Sequence, residues 1–84
     1  MNKEVIAARI AENQAKLAEL KESRKLLIAQ NKDAIQEILR AAVAKYVETV
    51  EGEVINKVCG DAMKDIDAQI KRVEEDLEIF SSLQ

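Results

Sequence analysis

Histidine, proline and tryptophan are absent from this 84-residue sequence, and cysteine occurs once. Without histidine the chain lacks the commonest general base, the commonest metal ligand and the side chain that titrates near neutral pH. Neither a serine–histidine–aspartate nor a cysteine–histidine site can be assembled. One cysteine, Cys59, can form no internal disulfide, and without histidine no structural zinc site arises within one chain. The only aromatics are Tyr46 and Phe80, so a platform for stacking nucleobases is missing. The sequence contains no G-x-x-x-x-G-K and no G-x-G-x-x-G, and no aspartate-rich loop with a glycine turn. No cofactor and no metal are expected, and enzymatic activity is disfavoured.

Other absences bear on location. No apolar run approaches the roughly 18–20 residues needed to span a bilayer. The start MNKEV has no long apolar core behind it, so no signal peptide is expected. A lone cysteine fits a reducing compartment. Together these give the expectation of a soluble, cytoplasmic protein with no membrane partner.

Hydrophobic residues make up 48% of the chain, many of them alanine, and charged residues of both signs make up 35%. That mixture belongs to long helices and coiled coils. Lack of proline removes the strongest helix breaker, and two glycines, Gly52 and Gly60, leave few places for loops. At this length one small domain is expected over residues 1–84, with a modest core that sharing across subunits would strengthen.

Apolar periodicity divides the chain into three helices, at about 3–30, 34–58 and 61–81. Asn2 suits the first N-cap. Ile6, Ile10, Asn13, Leu17, Leu20, Arg24 and Leu27 then alternate by four and three residues, a heptad seam with two polar interruptions. Such a polar residue fixes register, or else it lies at the rim with its head in solvent. Register is lost near Gln30-Asn31-Lys32. Asp33 with Gln36 resembles a capping box, which places a turn at 30–33, the alternative being an unbroken helix with a stutter. The second helix has a broad, drifting stripe that includes Ile35, Leu39, Val43, Tyr46, Val47, Val50, Val54 and Val58. In it Gly52 marks a bend or an early end. Gly60-Asp61 is the clearest punctuation, a glycine for the end of one helix and an aspartate to cap the next. The third seam, Met63, Ile66, Ile70, Val73, Leu77 and Phe80, alternates without exception.

Residues 1–32 carry seven basic and four acidic side chains, and residues 61–84 carry three basic and seven acidic. Opposite charges beside two apolar seams favour their pairing. A parallel alignment sets Arg9 beside Asp67 and Lys16 beside Glu74, and stacks Leu17 on Ile70. The expected fold is therefore all-α, a three-helix up-down-up bundle with coiled-coil-like packing. The alternative is a long helical hairpin that dimerises.

Two groups stand out as candidate sites. Val43, Val47, Val54 and Val58 on the second helix form the candidate partner interface, if they exceed what intramolecular neighbours cover. For any one of them, packing inside the monomer is the plainer explanation. Lys21, Arg24, Lys25 and Lys32 form a candidate basic patch, diluted by Glu19 and Glu22; an ordinary solvated helix end explains it as well. Glu74, Glu75, Asp76 and Glu78 point in different directions from a helix and read as a solvated acidic face. Cys59 reads as a small buried or half-buried hydrophobe.

By elimination, the expected function is a small non-catalytic helical protein-interaction module: an inhibitor, adaptor or assembly factor that binds a partner protein. The chain is also expected to be homo-oligomeric. One alternative is a nucleic-acid-associated regulator using the basic region 21–32, which a net charge of −3 disfavours. The other is a purely structural homo-oligomer.

Overall fold

The structure, a computed structural model, describes the backbone of residues 2–41 and 47–84 and the side chains of 2–40 and 52–84. It is all-α, with three helices: α1 (Lys3–Gln30), α2 (Lys32–Ala41) and α3 (Val47–Ser82).

The ends of α1 follow from local chemistry. Asn2 is extended at φ −66° and ψ 138°, and its Oδ1 accepts the Glu4 N–H at 2.7 Å. That bond satisfies one of the helix's orphan donors. At the other end a single residue, Asn31, interrupts the helix at φ −107° and ψ 13°. Its backbone N–H donates to Ile28 O at 3.1 Å, its Nδ2 donates to Leu27 O at 2.9 Å, and its own carbonyl accepts from Ile35 N at 3.0 Å. One asparagine thus closes α1 and opens α2. The turn falls within 30–33 as expected, but Asp33 lies inside the first turn of α2 rather than at its N-cap. There its charge suits the positive end of the helix.

Both heptad seams are realised. Ile6 is buried and Ile10, Asn13, Leu17, Leu20, Arg24 and Leu27 are half-buried, while every other position between Ile6 and Leu27 is exposed. On α3, Met63 and Val73 are buried and Ile66, Ile70, Leu77 and Phe80 are half-buried.

The direction of pairing differs from the sequence expectation. α1 and α3 pack antiparallel. Arg24 Nε donates to Asp67 Oδ1 at 2.9 Å, and Lys3 and Ile6 line one hollow with Gln84. The parallel alignment of Arg9 with Asp67 and Lys16 with Glu74 is therefore corrected. Arg9 pairs instead with Glu12, one turn along its own helix, at 3.3 Å. The reason lies at Gly60, which was read as a break where the chain reverses. It is a kink inside α3, at φ 58° and ψ −139°, with helix on both sides. With helix continuing on both sides of Gly60, α3 runs antiparallel to α1, and a hairpin results. Gly52 neither bends nor ends α3.

The heptads explain how the reversed pairing keeps both seams. A seam of alternating threes and fours reads the same in either direction, so it faces its partner equally well head-to-head or head-to-tail. With Arg24 at the level of Asp67, the same register puts Leu27 at the level of Met63 and Leu17 at the level of Val73.

The densest packing lies where all three helices meet. Ile35 from α2 and Val54, Cys59 and Met63 from α3 form the buried cluster, with Leu27 and Ile28 of α1 packed against it. Met63 is fully buried. Away from this junction only two helices touch, so the molecule is long, at 55 × 23 × 16 Å. Its radius of gyration is 17.0 Å, against about 12 Å for a compact chain of this length.

Candidate functional site

The valine group does not emerge as one free surface. Val54 is 6% exposed and belongs to the buried cluster, and Val58 is half-buried against it. Both are used inside the chain. Val43 lies outside the described residues, as does the side chain of Val47.

The basic group is split. Arg24 is half-buried and committed to Asp67 across the helix pair, while Lys21, Lys25 and Lys32 are exposed. Arg24 interrupts the seam and yet finds a partner on the opposite helix. Its side chain and that of Asp67 keep 39% and 45% of their surface, so the pair also lies at the rim. Beside it is an open hollow of about 310 Å³ at the kink, lined by Asn56, Gly60, Asp61, Lys64 and Asp67. Its groups are polar and of mixed sign. Among the described residues no cluster of three or more carboxylate or thiol side chains is placed to hold a metal ion. Cys59 is a free, buried thiol.

What the periodicity did not single out is the set of large apolar residues left in solvent. Val5 is 46% exposed, Leu26 54%, Ile79 57% and Leu83 51%, with Ile38 of α2 at 40%. At 100° per residue, Val5 and Leu26 fall on the same side of the α1 seam. Ile79 and Leu83 fall on the matching side of the α3 seam. Because the helices are antiparallel, these two sides coincide on one flank of the hairpin. Between the apolar residues this flank carries Arg9, Lys16, Glu12 and Glu19 from α1 and Asp65, Arg72 and Asp76 from α3. The opposite flank carries Ala11, Ala18, Lys21 and Lys25 from α1, with Lys64, Asp67, Lys71, Glu74 and Glu78 from α3. A signal for the apolar flank was present in the sequence. Val5, Leu26 and Ile79 are large apolar residues at off-seam positions, where a two-helix coil needs none.

No protein-family model matches the chain, and comparison with curated proteins and with solved structures finds no match. No helix among the described residues is long and apolar enough to cross a membrane.

Proposed function

We propose that this chain is a small non-catalytic protein-interaction module that works by surface complementarity, as an inhibitor, adaptor or assembly factor. The observation that carries this reading is the gathering of Val5, Leu26, Ile79 and Leu83 on one flank of a long, narrow hairpin. Single exposed apolar residues are ordinary, but several along one face mark a surface that protein covers. Rigid helix faces serve such recognition well, with the apolar side chains as anchors within a polar rim. A reducing cytoplasm suits the buried free thiol of Cys59.

Affinity capture with the intact protein, run beside a Leu26→Glu/Ile79→Glu variant, tests the reading. A protein retained by the natural chain and lost by the variant is the expected result. Retention of the same proteins by both chains refutes the use of this flank.

One observation favours a second reading. The hairpin brings Lys64 and Lys71 onto the flank that holds Lys21 and Lys25, so four lysines surround the Arg24–Asp67 pair, with Glu74 and Glu78 further along the same flank. A polyanion such as nucleic acid would bind there through phosphate contacts, and affinity would fall steeply with salt. Absence of any mobility shift with DNA or RNA at low salt removes this reading.

A further inference from the structure

We infer that the level of Asn31 and Gly60 is an elbow, at which a head made of α2 and residues 47–59 of α3 bends on a stem made of α1 and the rest of α3.

The register carries the argument. Ile6 shares a hollow with Gln84, Arg24 bonds Asp67, and Ile35 packs in one cluster with Val54. These contacts step along the two chains at nearly the same pace. From Ile6 to Arg24 is 18 residues, against 17 from Gln84 back to Asp67; from Arg24 to Ile35 is 11, against 13 from Asp67 back to Val54. One antiparallel register therefore runs through the whole pairing, and α2 takes up on α3 where α1 leaves off. Asn31 lies seven residues after Arg24, and Gly60 lies seven before Asp67. The breaks in the two chains thus stand at one level.

Each break is a single residue. Asn31, at φ −107° and ψ 13°, lies near the bridge region, and Gly60, at φ 58° and ψ −139°, lies where glycine alone enters freely. Helices kink at such glycines and where a side chain enters the backbone ladder, as Asn31 Nδ2 does on the Leu27 carbonyl. A break in one helix of a pair is splinted by the other. Two breaks at one level leave the pair without a splint.

Packing at that level fits a pivot. Met63 belongs to the stem, and it is fully buried in the cluster with Ile35, Val54 and Cys59 of the head. Its unbranched side chain adapts to a change of shape that a branched one would resist. Room to bend lies at the kink. There the open hollow of about 310 Å³ runs from Asn56 on the head to Lys64 and Asp67 on the stem. Bending toward this side closes the hollow. It also changes the angle between Ile38 of the head and Leu26 of the stem, both exposed, so the surface offered to a partner is adjustable.

Residual dipolar couplings of the backbone amides, measured on the natural chain in a weakly aligning medium, test the elbow. Couplings from 3–30 and 61–82 should fit one alignment tensor. Those from 32–41 and 47–59 should fit a second tensor of smaller magnitude, with helical chemical shifts in both groups. A single tensor for head and stem means a rigid hairpin and overturns the inference. Head couplings that fit no tensor, or head shifts that are not helical, overturn it too, because the head is then no rigid arm. Asn31→Ala puts the best helix former on one side of the level and should bring the head tensor closer to that of the stem. If that variant keeps its helical shifts and both tensors stay as they were, the matched breaks do not make a joint and the inference falls.

Discussion

The two glycines of α3 permit a test in which one chemical change has opposite signs. Gly60 has φ 58° and ψ −139°, in a region that residues with a Cβ rarely adopt. A Cβ at Gly60 would meet nothing within 4 Å, so Gly60→Ala is opposed by backbone conformation alone. Such strain costs about 1–3 kcal/mol. Gly52 is helical and exposed, and a Cβ there also meets nothing within 4 Å. Gly52→Ala should therefore stabilise by about 1 kcal/mol, the helix-propensity difference. A domain of this size shifts its Tm by about 4–8 °C per kcal/mol. Gly52→Ala should accordingly raise Tm by roughly 5 °C, and Gly60→Ala should lower it by roughly 5–20 °C. Thermal melts followed by far-UV circular dichroism, all at one protein concentration because any self-association adds stability, give both values. The residues are eight apart along α3, about 12 Å at 1.5 Å per residue, so the double variant should fall near the sum, within about 0.5 kcal/mol. A Gly60→Ala chain as stable as the natural one would mean that the kink is not needed and that the antiparallel packing on both sides of it is wrong.

Met63→Ala should destabilise by about 2–5 kcal/mol in urea titration, since Met63 is fully buried where three helices meet; a loss under 1 kcal/mol would show that the junction is loosely packed. Single and double substitutions of Arg24 and Asp67 to alanine should reveal a coupling of about 0.2–1 kcal/mol that shrinks at high salt, whereas the corresponding cycle for Arg9 and Asp67 should give none. The reverse outcome would restore the parallel alignment. Cys59 should resist a water-soluble thiol reagent in buffer and react fully in denaturant, because it is buried. Rapid labelling under native conditions would contradict its place in the cluster.

The seams on α1 and α3 were fully legible, because burial on a helix follows a period and a period survives in the sequence. Asn2 was legible as a cap, and the turn at 30–33 from the loss of register, but Asn31 rather than Asp33 is the residue that makes it. Chain direction was not. Heptad spacing is blind to polarity, and exposed charge pairs are worth too little to decide it. The matter rested on Gly60, and a glycine in a positive-φ conformation is compatible with both a reversal and a kink. The candidate valines misled in a related way. The stripe read over 34–58 as one helix drifts because it belongs to two, Ile35 and Leu39 to α2 and Val54 and Val58 to α3. The exposed flank required both halves of the answer. Val5, Leu26, Ile79 and Leu83 are ordinary one at a time, and only antiparallel packing puts them on the same side.

The antiparallel hairpin also sets an order for assembly and a geometry for resisting force. Contacts at the junction close short stretches of chain, such as Ile35 with Val54, whereas Ile6 beside Gln84 closes nearly all of it. That is two doublings of loop length, or about 1.2 kcal/mol of extra closure entropy if made first. Folding should therefore start at the three-helix junction and zip toward Lys3 and Gln84. A pull applied at those two residues would run the sequence backwards. It would load one rung at a time, so that the Arg24–Asp67 pair is reached only after the rungs below it have opened, and the cluster around Met63 yields last.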